Sequence, residues 1–191
     1  VFDGNWNLLR TVAMVPDEVR ALVDYCDERS LPLWLVSEQR SRFNYHFNDR
    51  VPVVMAEIHT EIPERCDLHT MLQEPVVKAV MFLTAQEVRE GPLSFMPHAR
   101  STQWFIHGQD IIPAEGGKLP AMRFMAEANG WTPDELMAFG DSENDNEMLR
   151  YAGTGVAMGN ALEETKAASD YVTDDCDDEG VAHALAHFAL I

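Results

Sequence analysis

The chain has 191 residues, 32 of them acidic against 14 basic, for a formal net charge of -18. Such a field repels nucleic acid and anionic membrane surfaces, and it opposes a phosphorylated ligand except where a local cation or metal ion offsets it. With 46% apolar residues, a mean hydropathy of -0.21, no apolar run of membrane-spanning length and no basic-then-apolar leader, the sequence reads as a soluble globular protein able to bury one good core or two small ones. Cys26, Cys66 and Cys176 are widely spaced and form no CxxC pair, which fits unpaired thiols in a reducing cytoplasm. The first residue is Val1, which points to a fragment or a processed chain.

In chain order, Val1 to Leu9 reads as two short strands around an Asp-Gly turn. Pro16-Asp17-Glu18 opens a helix with proline and acids in its first turn, and Val19, Leu22, Val23 and Cys26 give it an apolar stripe. Leu33 to Val36 is a strand, followed by Ser37 to Arg42, where much of the scarce positive charge collects. Val76 to Leu83 is a strand, and Thr84 with Glu87 three residues on is a capping box that starts the next helix. Trp104 to Ile106 and Ile111 to Pro113, around a glycine turn, form a further strand pair. From about Ile111 the pattern changes to alternating helices and strands: a helix after Gly116-Gly117-Lys118 that ends at Gly130, a capping box at Thr132 to Glu135, and a short apolar strand ending at Gly140. The acidic loop Asp141 to Asp145 follows. Beyond it come a helix over Asn146 to Tyr151, strand Val156 to Met158, helix Ala161 to Ala168, strand Tyr171 to Thr173 and a last helix from Val181. This is a βα succession of the doubly wound kind.

The acidic loop sits at the carboxyl end of a strand expected to be buried, where open α/β sheets place their chemistry. Its carboxylates and amide suit a hard, oxygen-loving cation such as Mg²⁺. Gly140-Asp141-Ser142-Glu143-Asn144-Asp145, continued through Met148-Leu149, Gly155 to Ala161, Ala168 to Thr173 and Glu179 to Ala182, resembles the C-terminal signature of the haloacid dehalogenase (HAD) superfamily, specifically its Cof-type phosphatases. The resemblance implies an α/β fold: the C-terminal half of a Rossmann-like core over residues 109–191, with an α+β cap domain over residues 1–108. It further implies a Mg²⁺-dependent hydrolase of small phosphorylated metabolites, such as sugar phosphates, that works through an aspartyl-phosphate. A binding remnant without catalysis, or a phosphomutase on the same scaffold, is the alternative.

By this resemblance Asp141 completes the coordination of Mg²⁺, Lys118 binds phosphate, and Asn144 contacts the phosphate or its substrate. Asp145 is assigned to the metal, either directly or by orienting a metal-bound water or a neighbouring lysine. Helix capping explains Asn144 or Asp145 equally well. Leu119-Pro120 departs from the small residue that usually follows the lysine. The family's nucleophile belongs to a DxDGT strand for which Phe2-Asp3-Gly4 is no substitute, so the nucleophile is expected outside this chain and the chain alone is expected to be inactive. Ser37, the acidic run Asp174 to Glu179, the His183/His187 pair, and Arg40, Arg42 and His46 all read as ordinary structural or surface residues.

Overall fold

The computed structural model describes all of residues 1–191, which divide into two compact units, Val1–Gly116 and Gly117–Ile191. The first is built on five antiparallel strands: β1 (Leu33–Ser37), β2 (Ser41–Phe43), β3 (Val76–Met81), β4 (Ala99–Phe105) and β5 (Gly108–Pro113), in the order β2-β1-β3-β5-β4. Because successive strand residues face opposite ways, Leu33, Leu35, Ala79, Met81 and Ile111 point to one side, where α1 (Pro16–Glu28) and α3 (Ala85–Glu90) cover them with Val19, Leu22, Val23, Cys26 and Val88. Trp34, Val80 and Phe82 belong to the other side, which α2 (Arg50–Glu57) covers through Val51, Val54 and Met55.

Several sequence expectations are adjusted here. The unit boundary falls after Gly116 and not at 108, because β5 pairs with both β3 and β4 and so completes the first sheet. Val1 to Leu9 forms a turn closed by a single Phe2–Leu8 bridge and contains no strand. There the Asp3 carboxylate accepts the backbone N–H of Asn5 and Asn7 and the Asn7 side-chain amide, and these bonds, the Asn7 side chain's foremost, hold its pKa below the ordinary value. The capping box at α3 forms as expected, with Thr84 N–H donating to Glu87 Oε2 at 2.7 Å. Arg50 of α2 reaches the same carboxylate, and Arg50, then the Thr84 bonds, pull the Glu87 pKa down to about 2.

The second unit is a parallel sheet, β6 (Met137–Gly140), β7 (Thr154–Ala157) and β8 (Tyr171–Val172), in sequential order. Its helices are α4 (Lys118–Asn129), α5 (Asn146–Tyr151), α6 (Glu163–Lys166) and α7 (Gly180–His187). The core between α4, α5 and the sheet is small: Ala138, Leu149 and Ala152, flanked by Met122, Leu136 and Met148. Since the strands are parallel, the loops after Gly140, Ala157 and Val172 all leave the same end of the sheet. No helix of the protein is long and apolar enough to cross a membrane.

A histidine ties the first unit together. His69 Nε2 lies 2.8 Å from Asp24 Oδ1 of α1, and its Nδ1 lies 2.9 Å from Asp67 Oδ1. A neutral imidazole carries only one N–H, so satisfying both carboxylates requires the imidazolium. Hydrogen bonding to Asp24, then to Asp67, accordingly raises the His69 pKa above its ordinary 6.5. A raised folded-state pKa gives stability that is fully present below the unfolded value and is lost as pH climbs through the folded one. We therefore expect the urea midpoint of the first unit's unfolding to fall as pH rises upward from about 6.5. His69→Gln should flatten that dependence and cost at most about 1 kcal/mol at acidic pH, since the ring is part-exposed and screened.

Candidate active site

The site is assembled around β6. Gly140, its last residue, is buried, and a Cβ placed there would lie 2.3 Å from the Cβ and 2.7 Å from the Cγ of Asp145. Only glycine lets the loop fold back so tightly. Asp145 is consequently 1% exposed, and a carboxylate so buried needs charge and hydrogen-bond partners. It has both: Oδ1 takes the Lys118 ammonium at 2.5 Å, and Oδ2 accepts the N–H groups of Asp141 at 3.1 Å and Ser142 at 3.3 Å.

Lys118 is the first residue of α4, and its side chain stays about half exposed. Asp141 is exposed and no protein group occupies its carboxylate. The main chain of Asp141 is fixed from two directions, because its carbonyl also accepts the Leu162 N–H at 3.0 Å. Asn144 is half-buried, and its Oδ1 is shielded from solvent without a hydrogen-bond partner. The exposed Asp141 carboxylate is a hard oxygen donor, and that chemistry fits Mg²⁺, which keeps several waters and takes few protein ligands.

The structure brings together three of the four expected residues directly, with Asp145 linking Lys118 to the backbone of Asp141. It separates the two acids expected at the metal: Asp141 faces outward, whereas both oxygens of Asp145 are committed to protein partners. In this geometry Asp145 holds the neighbouring lysine. Leu162, which braces Asp141, is not marked by the sequence, and Gly140 is read there only as the end of the strand. A glycine ending a strand just ahead of an acidic loop was the available signal.

The remaining polar clusters have protein partners. Ser37 Oγ donates to Glu74 Oε2 at 2.7 Å and Arg40 pairs with the same carboxylate; Arg40, then Ser37, lowers the Glu74 pKa. Arg42 pairs with Glu64, and His46 with Asp27. His183 bonds Asp174 at 2.7 Å while the His187 ring stacks on Tyr171, so the two imidazoles serve separate contacts. Asp175 accepts the Asp177 N–H within a turn ahead of α7.

A parallel α/β sheet whose carboxyl-end acidic loop is held by a lysine places its polar groups where open α/β folds bind ligands. The sequence profile of the haloacid dehalogenase-like hydrolases matches residues 2–185, and the chain belongs to that family, with its Rossmann-like core. Similar proteins include YkrA of Bacillus subtilis, 29% identical over 173 residues, which are 91% of this chain and 66% of that protein. A phosphoglycolate phosphatase of Methanothermobacter thermautotrophicus is 33% identical over 152 residues, 75% of this chain and 67% of its own length. Among solved structures, the subclass IIB sugar phosphatase BT4131 superposes with a TM-score of 0.84 at 29% identity, over 95% of this chain and 69% of that one. The chain thus spans about two thirds of the length of these relatives.

Gly140→Ala tests the tight fold-back. Unfolding of the second unit should show a loss of about 1–3 kcal/mol, typical of overpacking against atoms that cannot retreat, and the Lys118–Asp145 contact should be displaced with it.

Proposed function

We propose that this chain supplies the ion- and phosphate-holding part of a Mg²⁺-dependent phosphomonoester hydrolase of the Cof type, acting on small phosphorylated metabolites such as sugar phosphates in the cytoplasm. The observation that carries the reading is the Asp145 carboxylate, which joins the Lys118 ammonium to the backbone of the loop bearing the exposed Asp141. Relatives described as sugar and phosphoglycolate phosphatases support the substrate class, since each acts on a small phosphorylated compound.

In this reading Asp141 holds the ion, Lys118 donates to a phosphate oxygen, and Asn144 contacts the phosphate or its substrate. When bound, Mg²⁺ neutralises the negative charge that spreads over the phosphoryl group in transfer. Asp145 keeps Lys118 from collapsing onto other acids, which matters in a chain of net charge -18. The attacking carboxylate is proposed to come from outside these 191 residues, because the sequence contains no DxDGT strand and Asp141 is assigned to the ion. The first unit is proposed as the cap.

Backbone amide spectra with added Mg²⁺ test the ion site: the Asp141 and Asn144 signals should shift, and Asp141→Asn should abolish the response. With inorganic phosphate, Lys118→Met should weaken binding by about tenfold, the value of one charge-assisted hydrogen bond. In a protein that also carries a DxD segment, Asp141→Asn should lower phosphate release from sugar phosphates by about 100-fold or more. Reproducible Mg²⁺-dependent release by residues 1–191 alone would overturn the placement of the nucleophile. Ion and phosphate binding with no turnover in the longer protein would favour a binding module.

A further inference from the structure

We infer that Asn160, together with Gly159, is a positioning residue for Asp141, acting through the loop that follows β7. The inference rests on the assignment of Asp141 to the ion. Asp141 has its N–H on Asp145 and its carbonyl on the Leu162 N–H, so the orientation of its peptide depends on where the Met158–Leu162 segment sits. That segment touches the β6 loop through two bonds, Met158 N–H to Gly140 O at 2.9 Å and Leu162 N–H to Asp141 O at 3.0 Å. Its far side is pinned to the turn after β8 by two more: Gly159 N–H to Asp174 O at 2.9 Å, and Cys176 N–H to Asn160 Oδ1 at 3.3 Å.

The segment is therefore a bracket between the carboxyl ends of β6 and β8, crossing that of β7. Gly159 sets its closeness to the turn, since a Cβ there would lie 2.7 Å from Asp175 N, 2.8 Å from Asp174 C and 3.0 Å from Thr173 O, all backbone atoms. Asn160 is exposed, so shortening it opens no cavity and removes only the acceptor that holds Cys176. An asparagine side chain accepting a backbone N–H across two loops is a fixed strut, and its loss frees the bracket to move with Leu162 and the Asp141 carbonyl.

The test compares wild type with Asn160→Ala, Asn160→Asp and Gly159→Ala by amide hydrogen exchange and by Mg²⁺ titration of the Asp141 amide signal. Asn160→Ala should speed exchange at Leu162 by about tenfold and raise the half-saturating Mg²⁺ concentration by about three- to tenfold, as the loss of one modest hydrogen bond allows. Asn160→Asp keeps an acceptor at the same place and should restore both values to within about twofold of wild type. Gly159→Ala should move both readouts further in the same direction as Asn160→Ala. If Asn160→Ala leaves Leu162 exchange and the Mg²⁺ midpoint unchanged while lowering thermal stability, the residue is merely structural and the inference is overturned, with the ion assignment intact. If the wild-type Asp141 signal ignores Mg²⁺ altogether, the ion assignment itself fails and takes the inference with it.

Discussion

A buried carboxylate that is fully committed to protein partners organises the second unit. Asp145 lies in the tight bend after β6, and burying it is tolerable only because an ammonium and two backbone N–H groups surround it. Each of those partners constrains a different element: Lys118 the start of α4, and Asp141 and Ser142 the loop itself. The bend in turn requires that β6 end in a residue without a side chain. One interaction thus sets strand end, loop path and helix start together, which is why the loop can present Asp141 outward.

The two units solve burial differently. The antiparallel sheet of the first is covered on both faces and holds most of the large apolar side chains, including Phe43, Phe82, Leu22 and Met81. The second relies on a smaller cluster in which Leu149 packs between the small residues Ala138 and Ala152, and α5 lies against its short parallel strands. A sheet with such close helices leaves its loops at one end free to carry polar residues, and the chemistry of the chain is concentrated there.

Much of this was legible in the sequence because it rests on local rules. The Thr84/Glu87 and Thr132/Glu135 capping boxes both form, and the glycine-ended apolar run ahead of Asp141 became β6. Expectations failed where long-range pairing decides. The Val51 to Met55 stretch is β-branched and escaped notice as a helix, yet Pro52 in its first turn and the spacing of Val51, Val54 and Met55 seat α2 on the sheet. β5 was divided from its own sheet because a change in composition at Ile111 does not reveal which strands it pairs with. Asp141 and Asp145 are indistinguishable as letters, and only the fold-back at Gly140 shows that one faces solvent and the other does not.

The contact between Lys118 and Asp145 also bears on how tightly an anion can be held. A free lysine samples many rotamers, and confining it costs about 2 kcal/mol of conformational entropy. Here the confinement happens when the chain folds, so an incoming ligand meets an ammonium already aimed and loses less on association. The acidic partner that offsets the charge presented by the pair therefore also makes the lysine's grip more rigid, trading raw attraction for shape.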